Sequence, residues 1–413
     1  MRARRLAARW LIPIEGPPLE HGALLIGAGG RIEAVGRDQD VPRPPDIPAA
    51  DYGDAVILPG LINTHTHLEL TGFEGRGPHR DFPSWIRELR EVKTTRTAAD
   101  YLQAARRGLA DCYASGVTTI ADTGDSGATI QALAEADGSG VAYQEVFGPH
   151  PGQLEESLAG LQARVSELCR WATNRVRIGV SPHAPYTVSG PLLRAVALWS
   201  GTEHLPLATH IAESPAEVSL LSDGTGPFAE VWRARGIPLP QPGGQTPVAW
   251  LAEHGALTER TLCIHAVQVG AGDIDRLALS GAAVAHCPLS NRAHAHGAAP
   301  LGALLDAGVR VALGTDSVAS VGRLDILAEA RAAQSLAPLT ASQALELATL
   351  GGARAMGLAS ETGSLRVGKW GDCTVIHAKA SYGEESPAEH VLSSSPADVL
   401  LTCVGGREVY RAL

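Results

Sequence analysis

Pro59-Gly60-Leu61-Ile62-Asn63-Thr64-His65-Thr66-His67 is a short apolar run that ends in two histidines one residue apart. Positions i and i+2 of a strand share a face, so both imidazoles leave its C-terminal end together. For an isolated His-x-His the default reading is a pair of satisfied core histidines. Three further runs change that reading. Ala208-Thr209-His210-Ile211-Ala212-Glu213 ends in a histidine with a carboxylate three residues on. Leu262-Cys263-Ile264-His265-Ala266 ends in a histidine, and Ala312-Leu313-Gly314-Thr315-Asp316-Ser317 in an aspartate. Buried His and Asp cost free energy unless paired or metal-bound. Four strands that each deliver such a group at the same end therefore point to a site.

Outward from these runs the chain alternates. Eight β-branched or apolar runs occur, at Leu61–His67, Val117–Thr123, Val141–Phe147, Val176–His183, Leu205–Ile211, Thr261–Ala266, Ala282–Cys287 and Val309–Asp316. Helix-like Ala/Leu/Arg-rich stretches lie between them, such as Ala98–Ala114, Leu154–Trp171, Pro191–Ser200, Asp273–Leu279 and Leu301–Ala307. Eight evenly used βα units predict a closed (β/α)8 barrel rather than a doubly wound open sheet, with its site at the C-terminal ends of the strands. Residues 1–58 and 358–413 read differently, as short runs between Gly/Pro turns. They are expected to form two parts of one small β-sandwich, with the barrel at 59–357 inserted between them. Ser222–Gly244, rich in Gly and Pro, is expected to be a loop over the barrel mouth.

Composition narrows the function classes. Apolar residues make up 45% of the 413 residues and charged ones 19%, which suits a folded chain with a large interior. A net charge of −10, from 34 basic and 44 acidic side chains, argues against a nucleic-acid surface. The six cysteines are scattered without a C-x-x-C pair and read as buried thiols of a reducing compartment. No apolar stretch has membrane-spanning length, and the N-terminal run is interrupted by Arg9, Pro13 and Glu15. These features predict a cytoplasmic protein with no nucleic-acid or membrane partner; a small-molecule substrate is the expected partner, and a homodimer is one candidate assembly that the sequence does not decide.

The run from Pro59 to His67, then His210 with Glu213, His265, and Gly314-Thr315-Asp316-Ser317 resemble, in order, the motifs of the amidohydrolase superfamily. The similarity extends from about residue 20 to 410 and includes the closing Gly363-Ser364-Leu365-Arg366-Val367-Gly368-Lys369-Trp370-Gly371-Asp372. The resemblance implies one divalent metal, zinc with ferrous iron as the other candidate, on His65, His67, His210 and Asp316. It implies that His265 orients the attacking water or the substrate, that Asp316 and His265 hold the hydroxide, and that Glu213 shuttles protons. Two-metal members use a carbamylated lysine, but no lysine occurs between Lys93 and Lys369. Glu145 is the remaining candidate for a bridge to a second ion.

Within the superfamily the chain is most similar to the deaminase and chlorohydrolase group. Ser181-Pro182-His183-Ala184-Pro185-Tyr186-Thr187-Val188-Ser189 resembles a motif of adenosine-derivative deaminases, which implies that His183 contacts the nucleoside. Glu69, in His67-Leu68-Glu69-Leu70, and Asp81-Phe82-Pro83-Ser84-Trp85-Ile86 resemble the subset that deaminates 6-aminodeoxyfutalosine in menaquinone biosynthesis. The alternatives are S-adenosylhomocysteine or 5′-methylthioadenosine deamination, a chlorohydrolase or amidase, and a non-catalytic metal-binding barrel. Trp85 and Phe82 are candidates to stack on the substrate, against the commoner fate of a buried apolar contact. Arg292 is the candidate for a substrate carboxylate, with Arg233 and Arg235 as competitors. His286 reads as structural. His294 and His296 read as mouth-loop residues, with a substrate role and ordinary surface placement equally weighted.

Overall fold

In the computed structural model, which describes residues 3–76, 81–240, 243–378 and 386–412, the chain ahead of the histidine pair forms five strands. They are β1 (Arg4–Leu11), β2 (Leu19–Ile26), β3 (Ile32–Arg37), β4 (Ala49–Asp51) and β5 (Ala55–Pro59). The central runs form β6 (Leu61–Thr66), β7 (Val117–Gly124), β8 (Gly140–Val146) and β9 (Val176–Pro182). They continue as β10 (Leu207–Ile211), β11 (Thr261–His265), β12 (Ala283–His286) and β13 (Arg310–Leu313). After these come β14 (Cys373–His377), β15 (Val399–Val404) and β16 (Arg407–Arg411).

Strands β6 to β13 pair in sequence order, and every ladder is parallel. The seam between β13 and β6 is bridged just beyond the strands. There Thr315 and Asp316 N–H groups donate to His65 O at 3.0 Å, and the Thr64 hydroxyl donates to Leu313 O at 2.8 Å. The result is the (β/α)8 barrel that the eight apolar runs predict. Gly314 permits the seam, since a Cβ there would sit 2.7 Å from His65 N and 2.8 Å from His65 Cβ. The strands are buried along nearly their whole length, as parallel strands covered by helices must be.

The helix Ala98–Ala114 has the bounds expected from sequence. Its start is set by a capping box in which the Thr97 side chain accepts from Asp100 N and the Asp100 carboxylate accepts from Thr97 N. The stretch expected as a mouth loop is instead partly helical, at Gly226–Ala234, and its residues 241–242 lie outside the described ones. The physical reason is position. Gly224 (φ 63°) ends one helix, and Gly226 and Pro227 begin the next, where a missing N–H costs nothing.

The two chain ends share one eight-stranded sheet, ordered β16-β15-β14-β5-β1-β2-β3, with β4 on β1. Leu6, Leu24, Ile32 and Ile57 from the first end pack with Val375, Leu401 and Cys403 from the second in a single core. On the opposite side, Val56 and Leu58 join the core around the barrel, so the sheet is fused to it. Five cysteines are buried thiols as expected, whereas Cys169 is exposed. Among the described residues no helix is long and apolar enough to cross a membrane.

Candidate active site

Five side chains from four strand ends meet at one end of the barrel. Ligand atoms of His65, His67 and Asp316 lie within 4.8 Å of one another, and so do those of His65, His210 and His265. The Asp316 Oδ1 atom stands 3.6 Å from Nε2 of both His65 and His67. The backbone is strained here, with Ala212 (φ 52°), His265 (φ 74°), Ala266 (φ 47°) and Asp316 (φ 61°) all left-handed. Non-glycine residues in that region cost roughly 1–3 kcal/mol each, and they persist where surrounding structure over-determines a functional geometry.

Hydrogen bonds aim the groups. His210 Nδ1 lies 3.0 Å from the carbonyl of His183, which can only accept, so Nδ1 carries the proton and Nε2 presents a lone pair to the cluster. His65 is fully buried, and among the described residues neither of its ring nitrogens has a hydrogen-bond partner. A buried orphan imidazole facing a carboxylate and three other imidazoles is the donor set that a divalent cation satisfies. Asp316 Oδ2 accepts from the Ser290 hydroxyl at 2.5 Å and the Ser320 hydroxyl at 3.2 Å, and Oδ1 accepts from Ser317 N at 2.6 Å. Burial alone would raise the Asp316 carboxyl, but His65 and its neighbouring imidazoles hold it well below the usual range, as a carboxylate. Burial lowers His67 to about 4 and pushes His210 and His265 down as well, so the rings are neutral.

Glu213 stands over this cluster. Its Oε1 is 3.5 Å from His265 Nε2, and its Oε2 accepts from the Tyr186 hydroxyl at 3.2 Å. Burial, with the Asp316 and Glu217 carboxylates nearby, raises Glu213 well above an ordinary glutamate. A carboxyl that holds a proton more tightly than usual suits a group that must take one up and pass it on. Glu217 fixes the backbone beneath it by accepting from Ala212 N at 2.7 Å and Glu213 N at 2.9 Å. Asn291 Oδ1 lies 3.0 Å from His265 Nδ1 and orients that ring. Tyr186 stood in a quoted motif and Asn291 in none, and nothing in their spacing announced these partners.

The cluster lines the floor of a cavity of about 400 Å³; a second, outer chamber of about 990 Å³ shares Ile86, Arg90, Phe147, Tyr186 and Thr187 with it. Asp316, Glu213, His265, His210, His183 and Trp85 all line the inner cavity. Its roof is the helix Phe82–Lys93, started by the Asp81 carboxylate accepting from Ser84 N at 3.0 Å. Phe82, Trp85, Ile86, Leu89, Arg90 and Lys93 face the cavity at spacings of three and four, one stripe of that helix. Trp85 stacks on Phe82 with ring centroids 6.0 Å apart and donates Nε1–H to Arg76 O at 2.9 Å. His183 Nδ1 lies 2.8 Å from the Thr187 hydroxyl oxygen.

Two expected substrate contacts are not brought to the cavity. Arg292 is exposed at the end of a short helix and lines neither chamber; Arg87, Arg90 and Arg235 line the outer one instead. Arg233 also turns away, donating to Gly224 O at 2.6 Å. Glu69 is buried behind the wall, with Oε1 accepting from Lys93 Nζ at 2.8 Å and Oε2 accepting from Ser126 N at 3.1 Å. Lys93 also donates to Asp125 Oδ1 at 2.8 Å, and these two, unlike Glu69, line the cavity. Burial opposes the charge on Glu69, but Lys93 overrides it and holds the carboxyl at about 2. A carboxyl lowered on folding stabilises above its unfolded value, near 4.5, and that contribution fades as pH falls toward 2. Lys93→Met is therefore expected to lower unfolding free energy by about 3 kcal/mol at pH 7, since it strands a buried carboxylate. The Lys93→Met/Glu69→Leu double variant should recover most of that loss in urea titrations. Equal destabilisation of both variants would mean that packing, not the pair, sets the cost.

Comparison with known proteins places this geometry. The amidohydrolase family pattern matches residues 56–409. The chain is 34% identical to an aminodeoxyfutalosine deaminase of Deinococcus radiodurans, over 81% of each chain. It is 31% identical to a 5-methylthioadenosine/S-adenosylhomocysteine deaminase of Syntrophobacter fumaroxidans, over 96% of this chain and 89% of that one. The crystal structure of a zinc-bound adenosine deaminase from Xanthomonas campestris superposes with a TM-score of 0.86 at 26% identity, covering 98% of this chain and 92% of that one. With imidazoles and a carboxylate gathered at the strand ends of such a barrel, the chain belongs to the amidohydrolase family and is a hydrolase acting on carbon–nitrogen bonds.

Proposed function

We propose that the protein deaminates a 6-aminopurine nucleoside derivative, with 6-aminodeoxyfutalosine as its preferred substrate. The observation that carries this reading is Glu213, a buried carboxyl with a raised pKa at the cavity floor, beside His265 and the imidazole–carboxylate cluster. His65, His67, His210 and Asp316 would hold one divalent cation, zinc in this reading. A cation held there lowers the pKa of a bound water from ~16 to about 7 and so supplies a nucleophile at neutral pH. Asp316 and His265 orient the water toward C6 of the purine. Glu213 takes the water proton and returns it to N1, so that C6 becomes tetrahedral without charge building up on the ring. As the C6–N bond breaks, the hydroxyl proton of the tetrahedral adduct passes to the departing amine, which leaves as ammonia and gives an inosine-type product. The same division of labour, with a non-ligand glutamate moving the protons, operates in other zinc nucleobase deaminases.

The preference for a carboxylate-bearing tail rests on the Deinococcus relative and on Arg87, Arg90 and Arg235 around the outer chamber. All three arginines are exposed, so a pair with one of them contributes up to about 1 kcal/mol, worth roughly two- to fivefold in kcat/KM. We expect 6-aminodeoxyfutalosine to exceed adenosine, S-adenosylhomocysteine and 5′-methylthioadenosine by that factor in ammonia release. The Syntrophobacter relative favours a second reading, in which S-adenosylhomocysteine or 5′-methylthioadenosine leads the series. Equal rates on all four would leave an enzyme that reads only adenine and ribose. No release from any would move the protein to another hydrolysis, such as removal of chloride from a triazine or cleavage of an amide.

A further inference from the structure

His296 is nine-tenths buried, at 4% exposure, yet neither of its ring nitrogens has a hydrogen-bond partner among the described residues. Its Nδ1 stands 3.7 Å from Glu213 Oε1, the same oxygen that His265 Nε2 approaches at 3.5 Å. His296 is not among the residues that line the cavity, although Phe82 of the roof helix packs against it. The backbone is bent to put it there. Ala295 (φ 54°) and Gly297 (φ 99°) are both left-handed, His296 N donates to Asn291 O at 2.9 Å, and Gln268 Nε2 donates to His296 O. One face of the ring is covered by His294, stacked at 5.2 Å, and Phe82 meets it edge-on at 4.5 Å. A non-glycine residue held left-handed to bury an imidazole beside a carboxyl is more than packing requires.

We propose that His296 is a positioning residue for Glu213. Its Nδ1–H donates to Oε1 and fixes the carboxyl rotamer, while Tyr186 holds Oε2. This kinetic role rests on the proposed deamination; the hydrogen bond itself does not. A gap of 3.7 Å is long for a hydrogen bond, and catalytic contacts commonly close only in the occupied site. Burial, with His294 beside it, holds His296 at about 4, so at neutral pH the ring is uncharged and carries one N–H. Which nitrogen bears that proton is what the proposal specifies.

Two measurements decide it. In the full-length zinc-loaded protein with 15N-labelled histidine, long-range proton–nitrogen spectra should show His296 as the Nδ1–H tautomer, with a shift that responds to Glu213→Gln. The Nε2–H tautomer, or a signal indifferent to Glu213, overturns the proposal whatever the enzyme's substrate. In kinetics on the best of the four nucleosides, His296→Leu should lower kcat by roughly ten- to a hundredfold at nearly unchanged KM and zinc content. His296→Asn, whose amide N–H can occupy the Nδ1 position, should recover most of that loss. An unchanged kcat in His296→Leu, or an Asn variant as slow as the Leu one, assigns His296 to packing alone. If the wild type acts on none of the four compounds, the deaminase reading fails, and the tautomer still decides His296.

Discussion

Glu213→Gln keeps its metal and loses roughly 10²–10⁴-fold in turnover, the range that a single general acid–base group contributes. The amide preserves the shape of the side chain and can still accept from Tyr186, whose hydroxyl lies 3.2 Å away. It cannot take a proton from water. The side chain is buried beside His265 and is not among the four groups that would hold the cation, so the ligand set is kept in this variant. Two readouts on one preparation check this: ammonia release under saturating substrate, and metal content by elemental analysis. Near-normal turnover would remove Glu213 from the proton path and leave His265, 3.5 Å from it, as the next candidate.

His65→Ala and Asp316→Ala should each lose the cation and, with it, essentially all activity. His65 belongs to two of the three candidate clusters, is fully buried, and among the described residues its nitrogens have no hydrogen-bond partner. Asp316 supplies the negative charge that makes a set of neutral imidazoles favour a dication. Wild-type protein purified without added metal should contain one equivalent per chain, and both variants much less than one. Wild-type protein should also unfold at a higher temperature than its chelator-treated form, because a ligand that binds only the folded state stabilises it by mass action. A wild-type content near two would assign a second ion to Glu145, His183 and His210, whose ligand atoms also lie within 4.8 Å of one another. Retention of a full equivalent in His65→Ala would refute the ligand set.

The barrel and the cluster at its mouth were legible because each depends on short-range pattern. A histidine or aspartate at the end of an apolar run declares both its strand and its side of the barrel. Glu69 and Arg292 were misplaced for the opposite reason. The partner of Glu69 is Lys93, 24 residues away on a helix whose roof position depends on tertiary packing. Arg292 shares a helix turn with Ser290 and Asn291, which reach Asp316 and His265, but points the other way. A one-residue step along a helix rotates a side chain by about 100°, and sequence alone does not say which face is inward. The helix Gly226–Ala234 was hidden because its Gly and Pro mark ends rather than interiors.

The sheet shared by the two ends has a consequence for the order in which the molecule can be made. β5 pairs with β14 in the register Pro59↔Cys373, and β1 borders β5. On a ribosome adding roughly 5–20 residues each second, the first strands wait on the order of 15–60 s for their partners. During that interval one edge of β5 stands unpaired, and the apolar face that later meets Val375, Leu401 and Cys403 is uncovered. The whole barrel must pass through synthesis before the strands that precede it can finish folding. The nascent chain is thus most exposed to misassociation at its oldest part, which is where a folding helper would be needed.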